Sequence, residues 1–125
     1  VYVYADKDRI RQVMVNLVVN SIKYGRQNGS TLVGFYDMDE NILVEITDTG
    51  LGIQPQHLPR IFERFYRVDP ARSRETGGTG LGLSIVKHVA LNHGGDVRVW
   101  SKVGVGSTFI LQLPIASDKE ERIES

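Results

Sequence analysis

The stretch "GGTGLGLSIVKH", Gly77 to His88, constrains this chain more than any other: four glycines within six residues run straight into apolar helical spacing. Glycines there deliver the main chain to the first turn of a helix, where unpaired N–H groups and the positive end of the dipole favour an anion. Phosphate is the obvious anion. The plainer alternative is that glycines only permit tight turns. Gly50 and Gly52 open the same long loop that Gly77, Gly78, Gly80 and Gly82 close. No GxxxxGK[ST] occurs, and the glycines do not sit between a first strand and its helix, so neither the P-loop nor the dinucleotide fingerprint applies. A different nucleotide-binding geometry is needed.

The helix after those glycines runs from Leu81 to His93 through Leu83, Ile85, Val86, Val89, Ala90 and Leu91, and Gly94-Gly95 closes it. An earlier helix is expected over Asp6 to Gly25, with Asp6 as cap, Gly25 as stop and an apolar stripe of Ile10, Val13, Met14, Leu17, Val18 and Ile22. "TLVGFYDM" and "NILVEITD", joined by "DEN", read as a hairpin, and "DVRVWS" with "STFILQLP" as a second strand pair. Between them lie about thirty residues with prolines at 55, 59 and 70 and one short helical pattern near Ile61 to Tyr66. Loops of that length in compact domains are functional or disordered. Strands arriving in pairs predict a two-layer α/β sandwich of the α+β kind, with a mixed, largely antiparallel sheet covered on one face by three helices.

At 125 residues one domain with one core is expected. Fifteen basic and fifteen acidic residues cancel, which removes any whole-protein field that would draw the chain to nucleic acid or an anionic membrane. The absence of cysteine excludes disulfides, thiolate metal sites and cysteine nucleophiles. No apolar run approaches the roughly 18–20 residues that span a bilayer. The chain starts without Met, in strand-like "VYVYAD", and is expected to be a piece of a longer protein; from Ala116 it reads as a frayed tail.

Three sets of side chains carry candidate chemistry. Asn16 and Asn20 stand four apart on one flank of the first helix, with Lys23 and Tyr24 one turn further on. They either face solvent or offer amide oxygens, hard ligands suited to Mg²⁺, while Lys23 offsets phosphate charge. Alternation along "ILVEITD" places Asp48 on the face of Ile42, Val44 and Ile46, so a carboxylate points toward the core and must find donors. It turns the chain in "DTG" or takes the exocyclic amine of a base. Arg60, Arg64, Arg67, Arg72 and Arg74 crowd the long loop against Glu63 and Asp69, as a solvated basic face or as groups that close over a polyphosphate. Phe62 and Phe65 have the spacing of a docking stripe, as lid core or partner surface.

Taken in order, "NLVVNSIKYG", "DTGLGI", "FERFYR" and "GGTGLGLSIVKHV" resemble the N, first glycine, phenylalanine and second glycine boxes of sensor histidine kinases. Their catalytic ATP-binding domain has the Bergerat fold, shared with gyrase, MutL and the heat-shock chaperone ATPases. The resemblance implies a domain over residues 1–114, with an ATP lid over about residues 54–80 and a tail over 115–125. It makes Asn20 and Asn16 the Mg²⁺-holding pair, with Lys23 near the phosphates and Tyr24 at the nucleotide rim. Asp48 matches the adenine-reading aspartate, Gly50 and Gly52 let the base come close, and Ile53 lines its pocket. Arg67 is similar to the arginine that engages the terminal phosphate, so Asn20 and Arg67 are the catalytic candidates. Gly78, Thr79, Gly80, Leu81, Gly82 and Leu83 form the phosphate cradle, and Thr108 matches a hydroxyl near the adenine.

In the gyrase-like and chaperone relatives, the residue four before the metal-binding Asn is a water-activating Glu. Here it is Asn16, which cannot act as a general base. The resemblance therefore implies transfer of the γ-phosphoryl group to a histidine rather than rapid hydrolysis. His57, His88 and His93 all lack the acceptor pattern, so the acceptor hairpin, sensor region and membrane anchor are expected before Val1. ATP, Mg²⁺, a dimerisation and histidine-phosphotransfer domain and, indirectly, a response regulator are the implied partners, in an inner-membrane-anchored homodimer with this domain in the cytoplasm. Two other readings stay open: a nucleotide-binding regulatory module without chemistry, and a serine kinase of the anti-sigma type.

Overall fold

A computed structural model describes residues 5–23, 29–66 and 82–115. Val1 to Tyr4, the expected helix stop at Gly25 and the tail from Ala116 lie outside them. The element order is α1 (Lys7–Lys23), β1 (Thr31–Met38), β2 (Asn41–Asp48), a 3-10 turn (Leu58–Arg60), α2 (Gly82–Asn92), β3 (Asp96–Lys102) and β4 (Gly106–Pro114).

α1 begins as its sequence dictates. Asp6 Oδ1 accepts the backbone N–H groups of Asp8 and Arg9 at 3.0 and 3.2 Å, which satisfies two donors of the first turn. Its inner line is Ile10, Val13, Met14 and Leu17, continued by Ser21 rather than by the expected Ile22. Ser21 is 1% exposed and Ile22 67%. A helix turns every 3.6 residues, so Ser21 falls four beyond Leu17 on the core line while Ile22 rotates off it. Buried Ser21 stays satisfied by sharing a 2.9 Å hydrogen bond with Thr31 Oγ1. Leu91, expected in the second helix's stripe, is likewise exposed; Val86, Val89 and Ala90 are the buried residues of α2.

The four strands form one sheet in the order β1-β2-β4-β3, with every ladder antiparallel. Met38 pairs with Asn41, so the first hairpin closes over Asp39 and Glu40, and Asp39 takes a left-handed φ of 63°. α1 and α2 cover one face. Val44, Ile46, Val97, Phe109, Leu111 and Leu113 meet Val13, Leu17, Val86, Val89 and Ala90 between the layers. Each fully buried side chain of this size stabilises by roughly 1.5–3 kcal/mol.

The short helical pattern at Ile61 to Tyr66 is a run of turns following the 3-10 turn, so the described residues hold two α-helices. Phe65 has φ 64°, outside the helical region, and six residues are too few to repay helix nucleation. The segment is nevertheless anchored. Ile61 is buried in the core, and Phe62 packs edge-on against Phe109 with ring centroids 6.2 Å apart.

One side chain ties the layer's two helices end to start. His93 Nε2 accepts the Asp6 N–H at 3.0 Å, while His93 Nδ1 lies 2.8 Å from the Val89 carbonyl oxygen. A carbonyl only accepts, so Nδ1 carries the proton and Nε2 the lone pair.

Candidate functional site

Asp48 ends β2 on the face toward the helices, buried like Val44 and Ile46 before it. Its Oδ1 accepts the Gly50 N–H at 2.8 Å and, across the ladder, the Ser107 N–H at 3.3 Å. The first bond is the Asx turn foreseen in "DTG". Both fall on one oxygen, and Oδ2 takes no hydrogen bond from a described residue. The turn and the ladder contact thus fix the orientation of the carboxylate.

Thr108 lies elsewhere. It pairs with Thr47, and the two hydroxyls meet at 3.0 Å on the sheet face opposite Asp48. The hydroxyl residue on the Asp48 side is Ser107, its ladder partner. Successive strand residues point to opposite faces, so a one-residue misplacement reverses the side. Counting back by twos from Leu113, Leu111 and Phe109 reaches Ser107, and that alternation is the signal that identifies it.

Ser107 belongs to a small hydroxyl network. Ser101 Oγ donates to the Gly106 carbonyl at 3.1 Å and accepts the Ile53 N–H at 2.7 Å. A hydroxyl has one proton, so in the 2.8 Å contact between the two serines Ser107 Oγ is the donor. Ile53 is thereby held against the core, where its side chain packs. Gly52 owes its identity to the same contact: its φ is +79°, and a Cβ would stand 2.3 Å from the Lys102 carbonyl oxygen. The backbone at the end of β3 excludes a side chain here. Leu51 O also accepts the Gly104 N–H at 2.9 Å, and Gly50 is buried beneath the turn.

On α1, Asn16 and Asn20 are half-buried along the flank beside the core line. Asn16 Nδ2 donates to the Gly82 carbonyl at 3.4 Å, which joins the asparagine flank to the first turn of α2. A Cβ at Gly82 would meet nothing within 4 Å, so there is open space beside that turn. Leu83 packs against the core. Lys23 closes α1. Its side chain, with Tyr24, Arg67, Gly78, Thr79, Gly80 and Leu81, lies outside the described residues.

The base of the long loop is a structural cluster. The Arg60 guanidinium forks onto Glu63 at 3.1–3.3 Å and lies 4.6 Å from the centre of the Tyr66 ring. Glu63 raises the Arg60 pKa further above its ordinary value. Tyr66 hydrogen-bonds His57, and Arg64 stacks 5.4 Å from the Phe65 ring centre. These two arginines serve the loop itself, while Arg72 and Arg74, like Arg67, fall outside the described residues. Lys87 Nζ sits 5.7 Å from the Phe62 ring centre and 2.6 Å from Asp96 Oδ1. That hydrogen bond holds the Asp96 carboxyl below the usual carboxylate range, helped by the Val97 N–H and opposed by partial burial.

The site thus joins an anchored carboxylate on β2 with an amide flank on α1 that meets the opening turn of α2. Among the described residues no three His, Cys, Asp or Glu come together as a metal cage, and no helix is long and apolar enough to cross a membrane.

Residues 5–117 match the family model for histidine kinase-, DNA gyrase B- and HSP90-like ATPases. The chain is 50% identical over 112 residues to the sensor-like histidine kinase SenX3 of Mycobacterium tuberculosis; the match covers 90% of this chain and 27% of that protein. The solved mycobacterial sensor histidine kinase MprB superposes with a TM-score of 0.78 at 35% identity, over 90% of this chain and 74% of that one. Full-length ShkA in complex with AMPPNP gives a TM-score of 0.78 at 33% identity, over 92% of this chain and 23% of that one. The chain therefore belongs to the family of histidine kinase-, DNA gyrase B- and HSP90-like ATPases, built on the Bergerat fold.

Proposed function

We infer that this chain is the catalytic ATP-binding domain of a sensor histidine kinase, transferring the γ-phosphoryl group of Mg·ATP to a histidine on a separate dimerisation domain of the same parent protein. The domain spans residues 1–114, with a lid over about 54–80. The observation that carries the reading is Asn16. It occupies the position of the water-activating Glu in the hydrolases that share the fold, and its amide nitrogen is committed to the Gly82 carbonyl. A neutral carboxamide cannot take a proton from water. Catalysis then rests on positioning and charge neutralisation.

Asp48 does the base recognition. With Oδ1 pinned by two backbone N–H groups, Oδ2 accepts the exocyclic amine of adenine, and Ser107 and Ile53 flank it. Mg²⁺ fits the opposite end, because two amide oxygens one helical turn apart suit an ion that takes the rest of its shell from phosphate and water. Asn20 and Asn16 would hold it, and when bound it neutralises phosphate charge. Lys23, Arg67 and the cradle of Gly78, Thr79, Gly80, Leu81 and Gly82 engage the phosphate tail. A ring nitrogen of the acceptor histidine forms the P–N bond as the β–γ P–O bond breaks and ADP leaves.

The matched stretch spans 27% of SenX3, and in this reading the parent protein is an inner-membrane-anchored homodimer that passes phosphate to a response regulator from the cytoplasmic side. The ATP-binding segment is itself monomeric and contacts neither nucleic acid nor membrane. Mixing the chain with an acceptor-histidine hairpin from a sensor kinase and γ-labelled ATP tests the assignment. Label on histidine is expected. Binding without transfer would favour a regulatory module, and transfer to a serine substrate the anti-sigma type of kinase.

A further inference from the structure

Alternation along β3 puts Val97, Val99 and Ser101 on the face toward the helices; the two valines join the core, and the third position is a hydroxyl. Ser101 stands opposite Ser107, and Ser107 opposite Asp48, so the three side chains form one row across β3, β4 and β2. A hydroxyl offers one proton and two lone pairs, and Ser101 uses all three. Its proton goes to the Gly106 carbonyl at 3.1 Å, and its lone pairs take the Ile53 N–H at 2.7 Å and the Ser107 hydroxyl at 2.8 Å. Nothing on Ser101 is left for a ligand. It acts instead on its neighbour, because Ser107 Oγ, with its proton drawn toward Ser101, has only lone pairs to present beside Asp48. The row is locked in this pairing. Leu51 O holds the Gly104 N–H at 2.9 Å, and a Cβ on Gly106 would run into the Asp48 carbonyl.

We propose that Ser101 is a positioning residue for base selection, which keeps the base end of the site lined by acceptors alone by holding the Ser107 proton away from it. The inference rests on the kinase reading above, in which Asp48 takes the exocyclic amine of adenine. The Asp48 carboxylate and Ser107 Oγ together suit that amine. A purine with an oxygen in its place sets acceptor against acceptor and leaves buried polar groups unpaired, which is how a site rejects a near-isostere. Without the Ser101 hydroxyl, the Ser107 O–H is free to turn toward the base and donate to that oxygen. Discrimination then falls.

The test titrates Mg·ATP and Mg·ITP, in which an oxygen replaces the amine, into the folded chain by calorimetry. Wild type should prefer ATP. Ser101→Ala should lower the ATP-to-ITP affinity ratio about fivefold, the worth of one hydrogen bond. Ser101→Thr, which keeps the hydroxyl, should restore the ratio. In a Ser107→Ala background the Ser101→Ala change should leave the ratio where it is, because no proton remains to be redirected; a merely structural serine would not show that dependence. Ser101→Cys, a weaker acceptor of similar shape, should lower the ratio in the same direction and carries the test if the alanine variant does not fold. A wild-type ratio in Ser101→Ala or Ser101→Cys, an equal fall in Ser101→Thr, or the same fall with and without the Ser107 hydroxyl would overturn the proposal while base reading by Asp48 stands. Wild-type chain that binds ATP and ITP alike, or neither, would instead overturn the role of Asp48 in the kinase reading and this inference with it.

Discussion

Ser107 donates its backbone N–H to Asp48 Oδ1 across the β2–β4 ladder at 3.3 Å, while its hydroxyl donates to Ser101 Oγ. Strand pairing, carboxylate orientation and the seating of Ile53 therefore meet at one residue, and its neighbour Thr108 points to the other side of the sheet. Replacing Ser107 by Ala should weaken adenine nucleotide binding several-fold, on the order of the 0.5–1.5 kcal/mol of one hydrogen bond. Thr108→Val should leave affinity unchanged and cost only the Thr47 contact. Calorimetric titration of both variants checks this, and the reverse order of effects would return the hydroxyl role to Thr108.

Gly52 and Gly82 should respond to substitution in opposite ways. Gly52→Ala forces a side chain into a left-handed φ and against the Lys102 carbonyl, so it should destabilise the unliganded protein by more than about 1 kcal/mol. Gly82→Ala adds a Cβ where nothing lies within 4 Å, and in a helix it should stabilise by up to about 1 kcal/mol. Thermal unfolding without nucleotide separates them. Equal destabilisation would contradict the backbone-contact account of Gly52.

The Lys87–Asp96 pair makes a small acid-sensitive contribution. Its Asp96 carboxyl titrates below the ordinary carboxylate range, so the stabilisation is complete above the unfolded value of about 3.9 and disappears as pH falls through the folded value. The pair is partly solvated, which limits it to less than about 1 kcal/mol. Asp96→Asn should therefore lower Tm slightly at pH 6–7 (about two to three pH units above that reference value), and the gap to wild type should close in strong acid. A constant gap at all pH values would contradict this.

His93 should matter more than its position just past the end of α2 suggests. His93→Ala removes the acceptor of the Asp6 N–H and the donor to Val89, each worth about 1 kcal/mol. Hydrogen exchange of the first turn of α1 should accelerate in this variant, with residues of β2 and β4 unaffected. Unchanged exchange at residues 6–10 would mean that the clamp contributes nothing.

Much of this molecule was legible in its residue order, because both helices and all four strands announce themselves by period. The stripe from Ile10 to Leu17 and the alternation from Ile42 to Asp48 each predicted which face is buried. Local pattern failed where contacts between distant residues decide. Gly52 is dictated by the Lys102 carbonyl fifty residues away, and His93 by the amide of Asp6. Ser21 rather than Ile22 continues the core line because it falls four residues beyond Leu17, and its partner Thr31 in β1 satisfies the buried hydroxyl. Ile61 to Tyr66 carries helical spacing, yet Phe62 and Ile61 reach the core from turns. Motif resemblance points to Thr108, while simple alternation puts Ser107 on the Asp48 side of the sheet.

In the proposed site Asp48 reads adenine while the Asn16–Asn20 flank holds magnesium and phosphate. Titrating ATP and GTP, with and without Mg²⁺, into wild type, Asp48→Ala and Asn20→Ala tests it most directly. Wild type should bind ATP in a Mg²⁺-dependent way, Asp48→Ala should bind ATP more weakly with a narrower gap to GTP, and Asn20→Ala should lose most of the Mg²⁺ dependence. Wild-type affinity and selectivity in both variants, or no nucleotide uptake by the folded chain at millimolar concentration, would contradict it.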